Sequence, residues 1–208
     1  MVELELREIA VSDWEIIERI GRLRIRAWRI DHPQISAATS WLDDFDRTAR
    51  HWAFLRGGEP WAAARMSVHP CIEKVPDCEG YVGVFGTPPP QPIASFNRLV
   101  VDKSVRGLGL SQRLDAIRLT EAKRMGCKCA IGATPSGERR VNQMMRSGFV
   151  FVGIGNLLSR SPVCSTVPPS IMICHLTCNP VPTTVTHTAS VSIGGGQRGG
   201  EKSQPAQT

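Results

Sequence analysis

Residues 93–114 read IASFNRLVVDKSVRGLGLSQRL. The first part, Ile93 to Val101, is rich in β-branched and aromatic residues and follows a proline-rich run, which predicts a strand. After a short gap come Arg106, Gly107, Leu108, Gly109, Leu110 and Ser111. Leu110, Leu114, Ile117, Ala122 and Met125 then recur at helical spacing, and Gly126 supplies a C-terminal stop. Glu121 interrupts that stripe. Amides at a glycine-rich helix start have no partner inside the helix, and the helix dipole adds positive potential there. Gly107 and Gly109 leave the backbone bare, so an anion can approach it. The arrangement suits a pyrophosphate. A plain turn before a helix is the competing reading. A P-loop is excluded because no Gly-x-x-x-x-Gly-Lys-Ser/Thr run occurs. A dinucleotide fingerprint is excluded because Gln112 stands at its third glycine.

Downstream, CKCAIGA (127–133) predicts a strand parallel to 93–101, since the two flank one helix. Ser136 to Ser147 predicts a helix closed by Gly148, followed by the strands FVFVG and SIMICHLT (170–177). Upstream, VELELRE alternates, with Val2, Leu4 and Leu6 on one face of a strand. Ser12 and Glu15 have capping-box spacing before a stripe of Ile16, Ile17, Ile20, Leu23, Ala27 and Trp28. A weaker helical stretch spans Trp41 to Arg50. HWAFLR and PWAAARMSV flank Gly57-Gly58-Glu59 as a hairpin. A long connection, 69–92, holds Cys71, Cys78 and Pro88-Pro89-Pro90. The predicted fold is α/β: a single mixed, mostly antiparallel sheet of six to seven strands with helices on both faces.

The chain has 208 residues, 41% hydrophobic and 21% charged, an ordinary globular mixture that excludes wholesale disorder. Nothing approaches the roughly 18 apolar residues of a membrane helix. MVELELREIA has acids where a secretory signal carries a basic head, so a cytoplasmic, membrane-free protein is expected. Seven cysteines, an odd number, point to reduced thiols. The net charge of +6 favours anionic partners without choosing among them. Asn179 to Thr208 contain no Leu and no aromatic residue, so 1–178 is read as the domain and 179–208 as a disordered low-complexity tail.

The segment around Arg106 resembles the GNAT acyl-CoA N-acyltransferase superfamily. Its motif is Arg/Gln-x-x-Gly-x-Gly/Ala, preceded by a Leu-x-Val strand whose Val lies five residues before the Arg. Leu99, Val101, Arg106 and Gly109 match it, with Ser111 at the last small position. The likeness continues to the Gly148-Phe149 pair and covers about 93–153. It implies acetyl-CoA, or another acyl-CoA, as co-substrate and no metal. It implies that Leu99, Val100 and Val101 pair with the pantetheine arm and that Arg106, Gly107, Leu108, Gly109, Leu110 and Ser111 hold the pyrophosphate. A main-chain N–H near Val101 would polarise the thioester carbonyl. The implied function is N-acetyltransfer by direct attack of an unidentified amine, on a small molecule or a protein.

Three positions depart from the family pattern. Met144 stands where members often carry a Tyr acid, Gly137 where they often carry Asn, and Asn97 where many carry a Glu base. The catalytic acid and base are therefore unassigned. A catalytically silent acyl-CoA sensor of the same fold is the alternative. Tyr81, the single tyrosine, reaches the site only if the 69–92 connection folds over it, and a packing role is favoured. A metal site from His69, Cys71 and Cys78, or from Cys174, His175 and Cys178, lacks paired-ligand spacing. Cys127 and Cys129 read as small buried hydrophobes. The histidines form no nucleophile constellation. Arg19, Arg22, Arg24, Arg26 and Arg29 could mark a nucleic-acid surface, but a solvated helix face is favoured and no nucleic-acid partner is expected. Asp43, Asp44 and Asp46 read as an exposed acidic loop. Oligomeric state is open, with a homodimer compatible.

Overall fold

The computed structural model describes residues 3–31, 38–135, 137–157 and 167–176. Residues 179–208, Cys164 and Cys178 lie outside the described residues. The order is β1 (Glu5–Ile9), α1 (Trp14–Asp31), β2 (Arg50–Arg56), β3 (Glu59–His69), β4 (Ile93–Val101), α2 (Leu110–Arg124), β5 (Cys129–Thr134), α3 (Glu138–Arg146), β6 (Val150–Ile154) and β7 (Ser170–His175). One sheet holds the seven strands in the order β1-β2-β3-β4-β5-β7-β6. β4 and β5 are parallel, and every other neighbouring pair is antiparallel.

Strand alternation sends side chains to two layers. Ile9, Ala53, Leu55, Ala63 and Val100 meet the buried stripe of α1, namely Ile17, Ile20, Leu23 and Ala27. On the other face Trp52, Phe54, Met66 and Phe96 pack with Leu110, Leu114, Met144 and Phe149 from α2, α3 and the turn that follows α3. Beyond α1, the 69–92 connection covers the first face, with Val75 and Tyr81 on Ile93, Ile131 and Ile171. Helices therefore sit on both faces. α2 and α3 end alike. The N–H of Cys127 bonds the carbonyl of Ala122 and that of Phe149 the carbonyl of Met144, with Gly126 and Gly148 at positive φ between.

Five expectations change. Trp41–Arg50 is not an α-helix: only a short 3-10 turn, Asp44–Arg47, forms, because Asp43 and Asp46 cap it reciprocally and the chain passes straight into β2. Asp46 is fully buried, so the acidic loop is exposed only in part. Arg24 is not on a solvated face: it lies at 0% exposure within the apolar stripe, its guanidinium bonded to both carboxylate oxygens of Asp46 at 2.9 and 2.8 Å. On α2 Met125 is 42% exposed, while Asp115 and Arg118 are buried. Glu15 pairs with Arg19 one turn on, where a cap with Ser12 was expected. Gly21 is required by contact: a Cβ there would lie 2.4 Å from Ser40 Oγ, which packs the approach to Trp41 against α1.

The buried ion pair ties stability to pH. Burial alone would raise the Asp46 carboxyl, but the Arg24 hydrogen bond and charge hold it far below the usual carboxylate range. Burial and the nearby Arg24 charge push His51 down to about 4 from 6.5, so it is neutral in the folded protein. As pH falls below 6.5 the unfolded chain takes up the His51 proton first, and stability declines until pH 4. Below that, protonation of Asp46 removes a further contribution. We predict that stability falls as pH drops from 6.5 to 4, His51 contributing a loss of about 3 kcal/mol, with the melting temperature following it down. His51→Gln should flatten that slope in thermal melts; an unchanged slope contradicts the assignment.

Candidate active site

β4 and β5 share a ladder only from Ile93–Cys129 to Phe96–Gly132. Both strands continue, β4 to Val101 and β5 to Thr134, but no longer paired with each other. The sheet thus opens like a wedge. On the other side of β4 the register with β3 shifts between Ala63 and Arg65. The bulge falls at Arg98, which has φ of +53°. It changes the parity of β4. Ala94 and Phe96 face α2, and after the bulge Leu99 and Val101 face α2 again while Val100 turns to α1. A non-glycine residue in the left-handed region is strained and persists only where its surroundings hold it.

A groove of about 610 Å³ runs from this opening toward the start of α2. Leu99, Val100, Val101, Arg106, Gly107, Gly109, Leu110 and Ser111 line it. Leu108, also expected at the site, is 58% exposed and is not among the lining residues. Gly107 and Gly109 have φ of +91° and +72°, and the start of α2 has no side-chain cap. Its first amides are therefore left for solvent or a ligand. Arg106 bends back, with Nε donating to the Val101 carbonyl and Nη2 to the Ala27 carbonyl, each at 3.3 Å.

A second, smaller pocket of about 170 Å³ lies on the far side of the opening. Trp28, Leu99, Pro135 and Arg140 line both compartments. The pocket wall includes Trp41, Tyr81, Phe96, Asn97, Arg98 and Met144. The 69–92 connection does fold over the site. Tyr81 is nonetheless a packed residue: it is 6% exposed and stacks on Phe85, and burial raises its hydroxyl well above the ordinary range. Met144 is buried in the pocket wall, at 2% exposure.

Behind the pocket runs a chain of alternating charge that sequence reading did not assemble. Arg24 binds Asp46, Asp46 and Asp43 bind Arg65, and Asp43 and Asp77 bind Arg98. Three arginines and three aspartates balance. Arg65 Nε donates to Asn97 Oδ1 at 2.6 Å, and Asn97 Nδ2 donates to Ser95 Oγ at 3.1 Å. Ser95 in turn lies 3.0 Å from His69 Nε2. Burial and the Arg65 charge lower His69, keeping it neutral. Arg98 lies 4.2 Å over the Trp41 ring. Burial alone would lower the Arg98 guanidinium, but Asp77 and Asp43 raise it. The clue in the sequence was Arg24 four residues after Ile20, inside an apolar stripe.

Arg98 is thus the pin joining β4 to the connection, and its partner Asp77 also has positive φ, +55°. Arg98→Ala should free the turn Cys78–Tyr81 and speed amide exchange there by about tenfold, the scale of one lost charged hydrogen bond. Exchange equal to the parent chain, measured by mass spectrometry, would show that the connection is held by its apolar contacts alone.

No protein-family model matches the chain, and no curated protein matches it by sequence. Solved structures do match by fold. The CoA-dependent acyl-homoserine lactone synthase BjaI, solved with SAM and isopentyl-CoA, superposes with TM-score 0.63 at 15% identity, covering 84% of each chain. An acyl-CoA N-acyltransferase from Pseudomonas aeruginosa gives TM-score 0.56 at 18% identity, covering 83% of this chain and 99% of the other. The ribosomal-protein-S18-alanine N-acetyltransferase from Escherichia coli gives 0.53 at 14% identity, covering 84% and 95%. The chain has the fold of the GNAT N-acyltransferases.

Proposed function

We propose that this chain is an acyl-CoA-dependent N-acyltransferase that moves an acetyl or other short acyl group from CoA to an amine. The observation that carries the reading is the wedge between β4 and β5, continuous with the uncapped, glycine-rich start of α2. The unpaired edge of β4 at Leu99 to Val101 would bind the pantetheine amides as a neighbouring strand does. The amides from Gly107 to Ser111 would take the pyrophosphate, with Arg106 close by. The thioester then falls at the opening, beside the junction of the two compartments.

The reaction needs little covalent help. The amine lone pair attacks the thioester carbonyl, whose oxygen receives a β4 N–H. The carbon–sulfur bond breaks, its electrons leave on sulfur, and the amine proton passes to water. Asn97 is no base, and Met144 is no acid. The residues present bind, orient and exclude water.

A second reading of the acceptor is favoured by the TM-score of 0.63 to BjaI, which is described with SAM. The pocket supports it chemically. Trp28 and Trp41 stand edge to face at 5.8 Å, an aromatic surface suited to a cation, and the Arg–Asp chain behind them offers both signs to a zwitterionic amino acid. A branched acyl chain would then share the pocket with Phe96 and Met144.

Saturating acetyl-CoA should raise the melting temperature by on the order of 5 °C, and free adenine nucleotides should not. Gly109→Asp places a carboxylate and a strained residue at the phosphate cradle and should abolish the effect. Thiol release is then followed across an amine panel that includes S-adenosylmethionine and simple primary amines. Binding without turnover on any acceptor or acyl chain would favour the silent-sensor reading. No difference between the parent chain and Gly109→Asp would remove the cradle.

A further inference from the structure

We propose that Arg140 is the group that receives the departing thiolate of coenzyme A, in the place left vacant by the missing tyrosine. The inference rests on the acyl-CoA reading above and adds a residue to it. Four side chains line both the groove and the pocket, and a thioester spanning the two must pass them. Arg140 is the charged one among Trp28, Leu99, Pro135 and Arg140.

Two independent observations agree with this placement. On α3, Arg140 precedes Met144 by four residues, so the two share one helix face. Met144 occupies the family acid position, and one turn earlier the same face presents a guanidinium. The second observation is charge. Asp115 is fully buried and binds Arg140 at 2.6 and 3.0 Å, but it also binds Arg118 at 2.5 Å. The other partners of Arg118 carry no charge: the carbonyls of Leu114 and Arg65 accept from it, and the Phe96 ring lies 4.3 Å from its guanidinium. Among the described residues one carboxylate thus serves two guanidiniums, leaving this wall with a positive charge in excess. The Arg–Asp chain across the pocket has none to spare. Excess buried charge is costly unless an anion compensates it, and the reaction produces an anion at this junction.

The chemistry follows from the residue type. Arginine keeps its proton at neutral pH, so it does not act as an acid. The tetrahedral intermediate collapses, the carbon–sulfur bond breaks, and the electron pair stays on sulfur beside the guanidinium. Water later protonates the thiolate. Arg98 and Asp77 face the same pocket as a neutralised pair, and Glu138 lines the groove side. The increment specific to Arg140 is therefore read by difference.

Two measurements test this in the full chain. In the first, CoA itself is bound and its thiol titrated by the ultraviolet absorbance of the thiolate. Bound to the parent chain, the thiol should titrate about one pH unit lower than on Arg140→Met, the effect of a nearby opposite charge. Failure of CoA to bind the parent chain would overturn the acyl-CoA reading. Binding with equal titration on both proteins would overturn the role of Arg140 alone.

The second measurement compares acetyl-CoA with its selenoester analogue, whose leaving group is more acidic. Arg140→Met should lower kcat for the thioester by about a hundredfold, the scale of a lost transition-state donor, with KM for acetyl-CoA little changed. The selenoester should lose far less, and Arg140→Lys should restore part of the thioester rate. An equal loss with both donors, or a rise confined to the KM of the donor or of the acceptor, contradicts the proposal. The last case would assign Arg140 to binding an acceptor carboxylate. Arg140→Met leaves Asp115 paired with Arg118, and its melting temperature serves as the folding control.

Discussion

The molecule turns on the early end of one ladder. Parallel strands pair along their length unless something stops them, because an unpaired buried peptide group costs about 1–3 kcal/mol. β4 and β5 stop at Phe96 and Gly132. Gly132 allows the last close approach: a Cβ there would stand 3.3 Å from the Phe96 carbonyl and 3.2 Å from Met144. Beyond that point β4 bulges at Arg98, and its edge turns toward the groove. A backbone edge left unpaired inside a domain is a binding surface by construction, and it suits a ligand with amides of its own.

Keeping such an edge open requires rigidity on both sides, and the charge systems supply it. The chain from Arg24 through Asp46, Arg65, Asp43 and Arg98 to Asp77 links α1, the 3-10 turn, β3, β4 and the long connection. Buried ion pairs add little net stability against apolar packing of equal volume, but they fix geometry, and removing one partner is strongly destabilising. Here they hold two residues at positive φ, Arg98 and Asp77, where the pocket meets the strand. The second system, Asp115 between Arg118 and Arg140, ties α2 to α3 beneath the same opening.

Much of this was readable in advance, for physical reasons. Strand 93–101 is bounded by a proline run and a glycine-rich turn, and its observed limits, Ile93–Val101, match. The β-α-β unit, the hairpin at Gly57-Gly58 and both glycine helix stops follow from local chemistry, whereas Leu99 to Val101 on the groove wall were singled out only through the family resemblance. The buried charges were not assembled, since each needs a partner far away in the chain. Asp46 lies 22 residues from Arg24, and Asp43 lies 55 from Arg98. Locally, Asp43 to Asp46 looks like a solvated acidic loop. Spacing did hold a hint at Leu114, Arg118 and Ala122, where a charged residue sits in a row of buried ones. Tyr81 was placed near the site only conditionally, because nothing local says where a 24-residue connection will lie.

The most direct test is to follow the backbone amides by NMR while coenzyme A is added. Shifts and exchange protection should concentrate in Leu99 to Val101, where β5 no longer pairs with β4, and in Gly107 to Ser111 at the uncapped start of α2. Perturbations confined to surface arginines, with those amides unmoved, would contradict it.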